Sequence, residues 1–90
     1  MTLAECRGEI DWIDGELTAL LCRRLAVSDE VAQVKSALGL PTRDEEREEA
    51  LLSRVEALAG AENGGAVRAI YETILLQSRA RQDRKRGAGQ

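Results

Sequence analysis

Residues 3–38 read LAECRGEIDWIDGELTALLCRRLAVSDEVAQVKSAL, and the spacing of their apolar side chains decides the fold. Positions 3, 6, 10, 13, 17, 20, 24, 27, 31, 34 and 38 advance by alternating steps of three and four. They carry Leu, Cys, Ile, Ile, Leu, Leu, Arg, Val, Val, Val and Leu. That spacing is the seam of one long helix packed against a partner. Gly8 and Gly15 weaken such a helix without breaking it. Its end is marked by Gly39-Leu40-Pro41, a helix-stopping glycine followed by proline. One member of the seam, Arg24, is charged, and Lys35, one turn beyond Val31, is charged as well. A guanidinium buried without an anion is costly, so these positions ask for an anionic partner.

Outward from this helix the chain reads as all-α, with two more helices. Thr42-Arg43-Asp44-Glu45 fits a capping box, with Thr42 as N-cap and Glu45 at the third helical position, and predicts a second helix to about Ala59. Gly60, Asn63, Gly64 and Gly65 mark a turn. A third helix is expected from about Ala66 to Arg84. Residues 1–84 then form one domain and 85–90 a frayed basic tail.

The first helix is too long for a compact monomer. Thirty-five residues at 1.5 Å each span roughly 50 Å, whereas a globule of this length has a radius of gyration of only about 12 Å. A dimer in which two long helices cover each other's apolar stripe resolves the mismatch.

Composition excludes several function classes. The 90 residues contain 13 Lys and Arg against 16 Asp and Glu, a net charge of −3, which gives no general attraction to nucleic acid or membrane surfaces. Trp12 and Tyr71 are the only aromatics. The chain has no His and no CxxC pair, which argues against zinc. Cys6 and Cys22, sixteen residues apart on one helix, cannot bridge each other and read as reduced thiols of a cytoplasmic protein. The opening residues lack a secretory signal, and no apolar run approaches the ~20 residues of a membrane span.

Each helix has an inner face that turns polar. Arg24 and Lys35 are eleven residues apart, about 20° out of phase at 100° per residue, and so share a face. On the second helix the inner residues Leu51, Val55 and Leu58 extend backward to Asp44, Arg47 and Glu48. On the third, Val67, Ile70, Tyr71, Ile74 and Leu75 lead forward to Ser78 and Gln82. Each feature alone has a bland reading: a register-setting arginine, a snorkelling lysine, a first-turn charge cluster, a fading helix end. Together they describe a pocket of cations, neutral hydrogen-bonding groups and two carboxylates, with no evident nucleophile and no phosphate loop. Its natural ligand is a small dicarboxylate with a hydroxyl or amine elsewhere, and any catalysis there works by holding a reactive conformer and stabilising developing charge.

These residues resemble the all-helical chorismate mutase family (type II) over nearly the whole chain. Arg7-Gly8-Glu9-Ile10-Asp11-Trp12-Ile13-Asp14 resembles that family's opening Arg-x-x-Ile-Asp-x-Ile-Asp. Leu20-Leu21-Cys22-Arg23-Arg24 looks like its Leu-Leu-x-x-Arg, and Val31-Ala32-Gln33-Val34-Lys35 its Val-Ala-x-x-Lys. Gly39 to Glu48 is similar to Gly-x-Pro-x-x-Asp-x-x-Arg-Glu, and Ser78 with Gln82 to the closing Ser-x-x-x-Gln.

The resemblance implies an enzyme that rearranges chorismate to prephenate without a cofactor, covalent intermediate or metal. It implies that Arg7 and Arg24 grip the two carboxylates, supported by Arg47 and Ser78. Lys35 and Gln82 would donate to the breaking ether oxygen, and Asp44 with Glu48 would address the ring hydroxyl. The family fold is an entwined, helix-swapped homodimer in which Arg7 enters the partner's site. Helix phase agrees, because Arg7 and Arg24 point about 100° apart and lie some 25 Å apart along the axis.

Three alternatives accompany this reading. A mutase acting on 4-amino-4-deoxychorismate, where an amine replaces the hydroxyl, suits Asp44 and Glu48 too. Isochorismate pyruvate lyase shares the scaffold, though the retained acidic pair favours a mutase. A non-catalytic helical dimer is the remaining alternative. The basic residues Arg79, Arg81, Arg84, Lys85 and Arg86 read as a solvated tail, with docking of a partner as the alternative.

Overall fold

A computed structural model describes residues 1–88 and consists of three helices, α1 (Leu3–Leu38), α2 (Glu45–Ala59) and α3 (Gly64–Ala88). No strand occurs among the described residues, so the all-α expectation is met. None of the three helices is long and apolar enough to cross a membrane.

Local chemistry sets the boundaries. α1 opens on a reciprocal cap in which the Glu5 amide donates to Thr2 Oγ1 at 3.1 Å and the Thr2 amide donates to the Glu5 carboxylate at 3.3 Å. It closes at Gly39, whose φ of 68° is the left-handed turn that glycine adopts without penalty. That turn lets the Leu40 amide reach back to the Lys35 carbonyl at 2.9 Å. The chain thereby reverses and carries Thr42 over the end of α1. Gly8 and Gly15 sit inside an unbroken helix, as expected.

The N-cap of α2 is Asp44 rather than Thr42. Its carboxylate accepts the Arg47 amide at 3.0 Å, and Glu45 is the first helical residue. Thr42 has other partners: its carbonyl accepts from Lys35 and its hydroxyl from Arg86 at 3.0 Å. α3 begins two residues earlier than expected, at Gly64, which is buried. A Cβ there would lie 3.0 Å from the Glu56 carbonyl oxygen, so glycine allows the close crossing from α2 into α3. At its other end α3 continues through the basic stretch to Ala88, so residues 85–88 of the expected frayed tail are helical. The remaining two positions, 89 and 90, lie outside the described residues.

α3 is the organising element. It packs against α1 along one flank and α2 along another, while α1 and α2 make no close backbone approach among the described residues. Leu51, Leu52 and Val55 of α2 meet Leu75 of α3, with Val67 and Tyr71 packed alongside. Leu58 and Ile70, expected on these inner faces, point to solvent instead, and Leu52 takes the inward role. Arg68 braces the pair by reaching Glu49 at 2.9 Å and Glu56 at 3.3 Å.

The α1–α3 contact is built differently. Its buried α1 residues are Ser28 and Ala32, small side chains that let the two backbones approach. Arg81 clamps the contact by donating two 2.8 Å hydrogen bonds to Asp29. The long seam of α1 is largely uncovered: Leu3, Ile10, Ile13, Leu17, Leu20, Val27, Val34 and Leu38 are all exposed. The chain measures 53 × 26 × 14 Å with a radius of gyration of 16.2 Å. A body only 14 Å thick has little interior, and its α1 stripe finds no cover within the described residues.

Candidate active site

Where α1, α3 and the start of α2 converge, a cavity of about 310 Å³ opens. Its walls include Arg24, Lys35, Asp44, Arg47, Glu48, Ser78 and Gln82, seven of the eight residues singled out in the sequence. Arg7, the eighth, is not among them. It lies four turns and more toward the free end of α1, as its separation from Arg24 dictates.

The floor is a continuous hydrogen-bonded chain. Ser28 Oγ donates to the Arg24 carbonyl at 3.1 Å and lies 2.8 Å from Ser78 Oγ. Gln82 Nε2 donates to Ser78 Oγ at 3.2 Å, and Gln82 Oε1 accepts from Lys35 Nζ at 3.2 Å. Lys35 also donates to the Thr42 carbonyl. Ser78 and Gln82 are each only 6% exposed, although they continue an apolar stripe. They tolerate that burial because every buried side-chain N and O among the described residues has a partner. An amide nitrogen carries two hydrogens, so Gln82 Nε2 keeps one for a ligand after serving Ser78.

The rim is charged. The guanidinium groups of Arg24 and Arg47 have no hydrogen bond or ion pair to another side chain among the described residues, so their donors are available to an anion. Of the two carboxylates, Asp44 caps α2, while Glu48 is ion-paired with Arg79 and has side-chain exposure of only 15%. Counting Arg79, four cations face two carboxylates across the cavity. The formal surplus of two positive charges matches a dicarboxylate.

Sequence reasoning misses Ser28, Arg79 and the Thr42 carbonyl in this wall. Ser28 carries a signal, being one turn from Arg24 on the face shared with Ala32. Arg79 reads in the sequence as part of a solvated basic tail. It is instead half-buried against Glu48, just as Arg81 is tied to Asp29 and Arg86 to Ser36 at 3.1 Å. Each needs an acidic or hydroxyl partner on another helix, and no local pattern reveals such a partner.

Electrostatic shifts fall on the interhelix clamps. The hydrogen bonds from Arg81 hold the Asp29 carboxyl below its usual range, against a smaller opposing effect of burial. Arg81 is raised in turn, chiefly by its bond to Asp29, and Arg68 chiefly by its bond to Glu49.

A three-helix scaffold whose inner faces converge on a cation-rich cavity lined with neutral amide and hydroxyl groups defines a small all-α domain with a polar pocket. The chain belongs to the chorismate mutase type II family, whose family model matches residues 6–83. It is 38% identical over 61 residues to a chorismate mutase of Methanocaldococcus jannaschii, an alignment covering 68% of this chain and 62% of that protein. It is 41% identical over 75 residues to the bifunctional chorismate mutase/prephenate dehydratase of Enterobacter agglomerans, covering 83% of this chain and 19% of that one. A 3-dehydroquinate dehydratase of Pyrobaculum aerophilum matches at 32% over 78 residues, 87% of this chain and 23% of its own. The chain thus spans less than two thirds of each of these relatives. Among solved structures, a conserved hypothetical protein from Pyrococcus furiosus superposes with a TM-score of 0.77 at 36% identity, covering 91% of this chain and 96% of that one.

Proposed function

We propose that this chain catalyses the rearrangement of chorismate to prephenate. The carrying observation is the cavity in which Arg24 and Arg47, with donors to spare, stand beside the Lys35–Gln82 pair. The reaction is unimolecular. The ether C–O bond breaks as a C–C bond forms, and every atom is retained, so no nucleophile or external proton carrier is required. Catalysis then reduces to two tasks that these side chains suit.

Arg24, supported by Arg47, grips one carboxylate and helps fold the substrate into the compact conformer in which the reacting carbons meet. Lys35 Nζ and the free N–H of Gln82 face the ether oxygen. Negative charge develops there in the transition state, so their hydrogen bonds strengthen as the barrier is climbed. Asp44 and Glu48 receive the ring hydroxyl.

The catalytic unit is a homodimer. The uncovered stripe of α1, together with a body too thin to bury it, supports pairing with a second copy. In an antiparallel, helix-swapped pair, Arg7 of one copy completes the cavity of the other and supplies the second carboxylate grip.

The test is turnover of chorismate, 4-amino-4-deoxychorismate and isochorismate side by side, with products identified by NMR. Prephenate from chorismate as the fastest conversion is the expected result. Faster turnover of the amine compound would reassign the substrate. No turnover of any by folded protein would leave a helical dimer with a polar pocket and sink the proposal.

A further inference from the structure

Glu48 is the carboxylate best placed to choose between substrates that differ only in a ring hydroxyl or amine, and it does not stand alone. It lines the cavity from the first turn of α2, where Arg79 of α3 reaches across and pairs with it. Both side chains are largely withdrawn from water, at 15% and 21% exposure, so the pair acts in a medium less screening than bulk solvent.

We infer that Arg79 is a specificity-determining residue: by neutralising Glu48 inside the cavity it makes the site prefer a substrate with a neutral ring hydroxyl over one with an ammonium. The inference rests on the dicarboxylate mutase reading above. A lone carboxylate would attract an ammonium strongly and repay its desolvation. A carboxylate already bound to a guanidinium offers an ammonium little net attraction and sets a like charge nearby. A hydroxyl asks for less. It needs one acceptor, and with Arg79 Nη1 engaged at Oε1, Oε2 remains open for it.

The charge count points the same way. The chain's own four cations against two carboxylates leave a surplus of two, to which Arg7 of a second copy adds one. A dicarboxylate of net charge −2 therefore offsets more of it than the amine analogue at −1. Removing Arg79 lowers the surplus by one, which narrows the advantage of the more anionic substrate.

The discriminating quantity is the ratio of kcat/KM for the hydroxyl compound to kcat/KM for its amine analogue. Any loss of general grip on the shared carboxylates cancels in that ratio. In Arg79→Met it is expected to fall about tenfold or more from the wild-type value, because like-charge opposition in a desolvated site is strongly penalised. Arg79→Lys restores it, and Glu48→Gln, which leaves Arg79 unopposed, raises it. Circular dichroism establishes that each variant is folded. If Arg79→Met does not fold, Arg79→Gln and Glu48→Gln provide the same readout. An unchanged ratio in folded variants that turn over both compounds overturns the inference and leaves the mutase reading standing. A folded wild type that turns over neither overturns both.

Discussion

Gln82 is the residue whose chemistry is most open to test, because a glutamine donates without being protonated first. Its carbonyl end is held by Lys35 and its amide end by Ser78, so the remaining N–H is aimed by the protein before substrate arrives. Gln82→Ala should lower kcat by roughly 10²–10³, the range seen when one transition-state donor is removed, with a much smaller change in KM. A defect confined to KM would show that Gln82 only binds. Gln82→Glu is the sharper probe. A carboxylate cannot donate and a carboxylic acid can, so this variant should lose activity as pH rises toward neutral, whereas the wild type stays flat from mildly acidic to neutral pH. A steep wild-type loss over that range would contradict the role given to Gln82.

At the scale of the helices, the pocket exists because α3 is pinned to α1 and α2 by ion pairs on either side. The Asp29–Arg81 clamp ties α1 to α3 one turn from the Ser28–Ser78 contact. Arg81 lowers the Asp29 pKa, so the sign of the linkage is fixed. The stabilisation is present above the unfolded carboxyl value of about 3.9 and is lost as pH falls through the depressed folded value. Asp29→Asn should therefore melt below the wild type at pH 7, and the gap should close in strong acid. A gap that persisted there would mean that the substitution disturbs packing rather than charge. Helix periods and caps are local, so three helices and the convergence of Arg24, Lys35, Asp44, Arg47, Glu48, Ser78 and Gln82 are legible in the sequence from phase alone. The N-cap of α2 is not, because Thr42 and Asp44 are both good capping residues, and only the fold-back of the loop onto Lys35 decides between them. The outward turn of Leu58 and Ile70 is hidden too. A helix meets its neighbour over only part of its length, and an apolar period does not say where contact ends. The partners of Arg79, Arg81 and Arg86 lie more than thirty residues away in sequence, beyond the reach of any local pattern.

At the scale of the molecule, a single chain is a rod 53 Å long and 14 Å thick, with Leu17 and Leu20 more than half exposed midway along its longest helix. An apolar stripe of that length is unusual on a monomer, and in the proposed dimer a second copy would cover it. Leu17→Asp should therefore yield a monomer in sedimentation equilibrium and abolish turnover, although residue 17 does not line the cavity. The position of Arg7 permits a stricter test. In the swapped dimer each site takes Arg24 from one chain and Arg7 from the other. Arg7→Ala and Arg24→Ala homodimers should then both be inactive, because each lacks one arginine in both sites. Unfolded together and refolded as a mixture, they re-pair at random. In a mixed dimer one site loses both arginines and the other regains both. Half of the dimers are then mixed, with one intact site apiece, so activity should return to roughly a quarter of the wild-type level. If Arg7 and Arg24 instead served the same chain's cavity, no pairing could restore a complete site and the mixture would remain inactive. Recovery near a quarter therefore requires sites shared between chains, and its absence in a mixture that demonstrably forms mixed dimers would refute the swapped arrangement.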